Sequence, residues 1–151
     1  MKKSFLFISF CIALALIFVS SSWAWSLFGL GKKKTIKIGI NAPITGDIPK
    51  VGEGSKFAAK MWLEDVNSAG GIEVGGKKYK VELCIEDNES KAESAVKVNT
   101  KLITEDEVLV IVGPQSSKQA IPAGGVADNY KTPMISPWST NPEIGRASCR
   151  E

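Results

Sequence analysis

Two clusters of hydroxyl-bearing residues offer the chemistry of this sequence. Ser116 and Ser117 stand between a continuous apolar run, Val108 to Val112, and a stretch of helical character. Hydroxyls at a helix start share their space with the unpaired N–H groups of the first turn. Such an end holds a carboxylate without any basic side chain. The same two residues also suit plain N-capping. Trp138, Ser139 and Thr140 form the second cluster. A Trp at this place covers an apolar ligand face or packs at the edge of the domain, and both readings stay open.

Other chemistries are excluded or disfavoured. The chain has no His, so it holds neither a His-based triad nor a His metal site. No G-x-S-x-G elbow surrounds Ser117, so it is not read as a nucleophile, no catalytic residue is assigned and no enzyme is expected. Asn41-Ala-Pro-Ile-Thr-Gly46 lacks a dinucleotide fingerprint, and Gly54-Ser55-Lys56 has the wrong order for a phosphate loop. No cofactor is expected. Glu86-Asp87 ends a strand, where a solvated, capping role is expected in place of a metal site.

Composition narrows the class further. The 151 residues carry a formal charge of +3, but the surplus sits at the two ends. Between Trp25 and Glu143, fifteen Lys face fifteen Asp and Glu. A neutral body lacks the basic surplus a nucleic-acid partner requires. The runs Lys32-Lys33-Lys34 and Lys77-Lys78 read as solvated charge. With 44% hydrophobic and 23% charged residues the chain is not disordered, and about 120 residues bury one core.

The ends read as separate pieces. Lys2-Lys3 followed by an apolar run from Phe5 to Val19 fits a secretory signal, with Ser22-Trp23-Ala24 placing cleavage after Ala24. Residues 1–24 are thus expected to direct export to the periplasm, and residues 25–34 to form a linker. Residues 144–151, Ile-Gly-Arg-Ala-Ser-Cys-Arg-Glu, match the translation of a sequencing adapter, ATC GGA AGA GCG TCG TGT AGG GAA. They are expected to be non-native, with the natural chain continuing beyond Glu143. Of three Cys, Cys11 falls in the leader and Cys149 in the tail, so Cys84 stands alone and no internal disulfide is expected.

The elements that must position the two clusters follow from periodicity. Ile36, Ile38 and Ile40 alternate as in a strand. Residues 41–54 read as a long loop. A helix is expected from Ser55, with Phe57, Ala58, Met61, Trp62 and Val66 on its core face, ending at Ala69-Gly70-Gly71. A small hairpin about Gly75-Gly76 precedes a second main strand from Lys80 to Glu86. Ser90 to Glu93 reads as a capping box opening a helix to about Glu105. Val108 to Val112 fits a strand buried on both faces. A helix from about Gln119 to Tyr130 carries Pro122 in its first turn. Pro133 to Ser136 is a short fourth strand. The order β-α-β-α-β-α-β predicts a doubly wound α/β fold with a parallel sheet. Its ligands bind beyond the carboxyl ends of the strands, at the loops 41–54, 113–118 and 137–142.

Four stretches together resemble a known family. They are Thr35-Ile-Lys-Ile-Gly-Ile-Asn-Ala-Pro-Ile-Thr-Gly46, Asp65-Val-Asn-Ser-Ala-Gly-Gly-Ile72, Val112-Gly-Pro-Gln-Ser-Ser117 and Ile135-Ser-Pro-Trp-Ser-Thr-Asn-Pro142. They look like type I periplasmic binding proteins, in particular the branched-chain amino acid (leucine-binding) receptors of ABC importers. The resemblance covers residues 35–143. It implies two α/β lobes joined by a hinge, of which this sequence holds part of the N-terminal one. It also implies an amino acid or analogue as ligand, an importer permease as partner, and a monomer. Ser117 matches the serine that holds the ligand α-carboxylate in that family. Trp138 and Thr140 match positions that supply backbone groups and a hydroxyl. Val51 falls where leucine binders carry an aromatic residue, and Trp138 replaces a small one. The disulfide of some members cannot form. The ligand class implied is therefore amino acids or related amides and aromatic acids, not leucine specifically. The alternative is the extracellular ligand-binding domain of a membrane sensor, which a downstream spanning helix would distinguish.

Overall fold

The computed structural model describes residues 35–144. The leader with its cleavage point, the 25–34 linker, Cys11, Cys149 and residues 145–151 of the tail lie outside the described residues.

Five strands form one sheet in the order β2-β3-β1-β4-β5. β1 (Thr35–Ala42) pairs in parallel with β3 (Lys77–Asp87) on one side and with β4 (Val110–Val112) on the other. β5 (Met134–Ile135) extends β4 in parallel, and β2 (Ile72–Val74) folds back on β3 as an antiparallel hairpin. The register sets Ile38 beside Leu83 and Val110, and Ile40 beside Ile85 and Val112. All these side chains fall on one face because strand side chains alternate. There they meet Ala59, Leu63 and Val66 of the helix α1 (Pro49–Ser68). On the opposite face Ile111 and Cys84 pack with Val98, Leu102 and Ile103 of α2 (Ala92–Thr104) and with Met134. The third helix, α3 (Ser117–Asn129), lies against α2.

The handedness of the crossovers explains this layering. The chain steps one way across the sheet from β1 to β3, and the other way from β3 to β4 and from β4 to β5. Right-handed connections then put α1 on one face and α2 on the other. The loops leaving β1 and β4 diverge at their carboxyl ends, which opens a crevice at that point.

Several local expectations are corrected. α1 begins at Pro49, six residues earlier than the helical pattern suggested, with the proline in its first turn. Gly52 is the reason the glycine-rich stretch joins the helix: a Cβ there would lie 2.1 Å from the Pro43 carbonyl oxygen, so only Gly lets α1 approach the loop after β1. The core stripe of α1 is Ala59, Leu63 and Val66, while Phe57 and Met61 are 67% and 53% exposed. The capping box does not form. Lys91 occupies the N-cap position of α2, and the Ser90 hydroxyl instead donates to the Thr45 carbonyl at 2.9 Å. α3 begins at Ser117, which leaves Pro122 inside the helix. β4 is shorter than its apolar run: Val108 is buried but Leu109 is 64% exposed. The α1 side of β4 and β5 is only partly covered, and Ile38, Ile40, Val110, Val112, Trp62 and Ile135 line an open apolar groove there.

Among the described residues, no helix is long and apolar enough to cross a membrane. Cys84 is partly buried and unpaired, and burial, before neighbouring charges, pushes its thiol above the usual value.

Candidate functional site

The loop after β4 begins with Gly113, at φ +105, followed by a cis bond to Pro114. A Cβ on Gly113 would lie 2.0 Å from the Asn41 carbonyl oxygen, so this backbone passes directly against β1. The loop then delivers Ser116 to the N-cap of α3, where its side chain makes no capping hydrogen bond. Ser117 starts the helix. Its hydroxyl oxygen accepts from the N–H groups of Thr140 and Asn141, each at 3.2 Å. Ser136 adds a second tie, bonded through its hydroxyl to the Pro114 carbonyl and to the Ser139 hydroxyl. Pro114 offers only an acceptor, so Ser136 spends its one proton there and Ser139 is the donor to Ser136. The two hydroxyl clusters of the sequence thus meet at the carboxyl edge of β4 and β5. Ser116 and Ser117 are half-buried, Ser139 is half-buried, and Thr140 is exposed.

Trp138, next to Ser139 in the chain, is 66% exposed. It lines an open pocket of about 490 Å³ together with Lys50, Val51 and Ser55 of α1, Gln115 and Pro137. Val51 and Trp138 therefore face one space although 87 positions separate them.

The loop after β1 is fixed by Asp87. Its carboxylate accepts from the N–H groups of Ile44 at 3.0 Å, Thr45 at 3.1 Å and Glu89 at 2.8 Å, and from the Thr45 hydroxyl at 2.6 Å. Partial burial works against its charge. The hydrogen bonds, led by that of the Thr45 hydroxyl, outweigh it and hold the carboxyl below the usual aspartate value. Glu86 pairs with Lys101 at 2.5 Å. Both carboxylates of Glu86-Asp87 are thus engaged in structural bonds. No group of three or more Cys, Asp and Glu suited to a metal ion occurs among the described residues.

Two features escaped the sequence reading. Gln115 is 4% exposed, and its Nε2 donates to the Ser55 hydroxyl at 2.9 Å, joining the loop after β4 to α1. Its only signal is position, a Gln directly after Gly-Pro at the end of a buried strand. The second feature is a chain of buried amides. Asn88 donates to Asn41 Oδ1, Asn41 to Asn99 Oδ1, and Asn99 to the Ala123 carbonyl. Its signal is Asn41, a polar residue that closes the alternating strand on the face opposite the isoleucines.

Residues 35–148 match the family described as periplasmic binding protein. The chain belongs to that family. An amino acid binding protein of Pseudomonas aeruginosa is 36% identical over 109 residues, covering 72% of this chain and 28% of the relative. Among solved structures of the family, the branched-chain amino acid transporter substrate binding protein LivJ from Streptococcus pneumoniae, in complex with isoleucine, is similar with a TM-score of 0.70. It is 32% identical, with 76% of this chain and 32% of that one covered. A solute binding protein of an ABC transporter from Rhodopseudomonas palustris, in complex with 3,4-dihydroxybenzoic acid, has a TM-score of 0.66 and 26% identity. There 76% of this chain and 30% of that one are covered. The chain thus spans about a third or less of the length of these periplasmic binding proteins. The family match, residues 35–148, takes in the described sheet and both hydroxyl clusters of this chain.

Proposed function

We propose that this chain forms part of the first lobe of a solute-binding receptor that serves an ABC importer in the periplasm. It binds an amino acid or a related small carboxylate or amide between two lobes and performs no catalysis. The leader exports it, residues 25–34 form a linker, and the receptor acts as a monomer. Ligand binding shifts an open–closed equilibrium, and the importer permease reads the closed form.

One observation carries this reading. The N–H groups of Thr140 and Asn141 converge on the Ser117 hydroxyl, each at 3.2 Å, beside the start of α3. Two donors and a rotatable hydroxyl at a helix N-terminus form a receptor for a carboxylate. A carboxylate oxygen supplies the lone pairs that the Ser117 oxygen now offers, and the freed hydroxyl turns to donate to it. Ser116 and Ser139 flank the same place with further hydroxyls, and Trp138 covers the remainder of the ligand. Family membership supports the same conclusion. The relatives named above carry amino acids or an aromatic acid in their descriptions.

Calorimetric titration of the complete polypeptide with isoleucine, alanine and 3,4-dihydroxybenzoate tests the reading. Saturable one-to-one binding of at least one of them is expected. No heat with any of the three, from a folded protein, would sink it.

A further inference from the structure

We propose that Trp138 sets which solute this receptor takes: its indole stacks on a flat ring, so that aromatic carboxylates bind in preference to saturated ones of the same size. This names the solute class of the site proposed above and rests on that reading.

The carboxylate cradle and the pocket beside Trp138 are built from the same two loops. The Ser117 hydroxyl collects the N–H groups of Thr140 and Asn141, each at 3.2 Å. Gln115 lies two positions before Ser117, and Trp138 two positions before Thr140. Two residues of chain span at most about 7 Å. Gln115, Pro137 and Trp138 line the pocket of about 490 Å³. One small molecule can therefore keep its carboxylate at Ser117 and rest its body beside Trp138.

The pocket presents the indole to that body. Trp138 is 66% exposed, so its ring is not spent on the core of this lobe. Its loop is tied on both sides. Before it, the Ser136 hydroxyl bonds the Pro114 carbonyl; after it, the Ser139 hydroxyl meets Ser136 and the Thr140 N–H meets Ser117. A ring carried on a braced loop has less freedom to lose when a ligand stacks on it. The other wall is a stripe of α1. Val51, Gly54, Ser55 and Ala58 stand at i, i+3, i+4 and i+7, which puts them on one face of the helix, and all four line the pocket. Small side chains on that stripe leave a ring room between α1 and the loop. Two aromatic rings attract each other beyond the area they bury, whereas a saturated ring of the same size gains the area alone. The indole therefore separates solutes by flatness and π-character, not by size.

Calorimetry on the complete polypeptide tests this with pairs matched in size: benzoate against cyclohexanecarboxylate, and phenylalanine against cyclohexylalanine. In at least one pair the aromatic member should bind about threefold or more tightly than its partner. Trp138→Leu keeps an apolar side chain without a ring and should bring that ratio to about one, whereas Trp138→Phe should retain a preference. Binding with both ratios below about threefold overturns the inference and leaves the receptor reading intact. So does a preference that survives in Trp138→Leu, and so does binding of isoleucine or alanine with none of the four rings. If none of these six solutes binds to folded protein, the receptor reading falls and the inference with it. Should Trp138→Leu fail to fold, indole emission takes its place. The change that the aromatic solute causes in wild type should be lost in Trp138→Phe, and a change that persists overturns the inference.

Discussion

Asn41 donates its side-chain amide to Asn99 Oδ1 at 2.8 Å, with both residues fully buried. The same amide donates to the Ala95 carbonyl at 3.0 Å, and Asn99 passes its own donor to the Ala123 carbonyl at 2.9 Å. One polar chain therefore fixes the carboxyl end of β1 to α2 and α3. It also sets the height of α3, whose first residue is Ser117. Removing one member leaves buried partners unpaired, at about 1–3 kcal/mol.

Asn41→Ala and Asn99→Ala should each destabilise the complete protein by that amount in urea unfolding. The double variant should lose clearly less than the sum, because both changes break the same bond. Strict additivity would show that the two amides act independently.

Ser117→Ala removes the hydroxyl on which two backbone donors converge, and Thr140→Val removes the hydroxyl beside them. Each should weaken solute binding by about 1–3 kcal/mol, the range for a lost hydrogen bond to a charged group. Melting temperatures should change little, since both sites are half-buried or exposed. Unchanged calorimetric affinity in both variants would remove these residues from the site.

Asp87 gives the loop after β1 a pH dependence. Its folded-state value lies below its unfolded one. Its contribution is therefore complete above the unfolded value, about 3.9, and is lost as the pH falls through the folded value. Asp87→Asn does not titrate. The stability gap between wild type and Asp87→Asn should be widest near neutrality and close as the pH falls through the folded value. A gap that stays constant across acid unfolding curves would mean the carboxylate charge does not hold the loop.

Gly52→Ala places a methyl 2.1 Å from the Pro43 carbonyl oxygen, which is backbone and cannot swing aside. The expected cost is about 1–3 kcal/mol, as for other overpacked sites. Because the same turn of α1 carries Lys50 and Val51 to the cavity, solute affinity should fall as well. Gly54→Ala is the control: a Cβ there meets nothing within 4 Å, and it should be neutral or mildly stabilising in a helix.

The sequence by itself determined the fold class and the order of strands and helices, and it picked out the hydroxyls of the loops after β4 and β5. The alternation of Ile36, Ile38 and Ile40 and the apolar run about Ile111 are local periodicities, and period alone separates strand from helix. The extent and the buried face of α1 were not legible. Phe57 and Met61 are large side chains of the apolar pattern, yet they are exposed. The sheet accepts the smaller Ala59 with Leu63 and Val66, and that choice depends on the distance between α1 and β1, which Gly52 permits. The roles of Ser90, Gln115 and Asn41 were hidden for a related reason. Each bonds a residue more than forty positions away, Thr45, Ser55 and Asn99 respectively. Hydrogen bonds act over about 3 Å in space, so a partner remote in sequence is set by how the strands are ordered in the sheet. Local pattern therefore named the elements and the hydroxyls. The tertiary structure alone decided that Ser117 meets Thr140, that Val51 faces Trp138, and that Gln115 reaches Ser55.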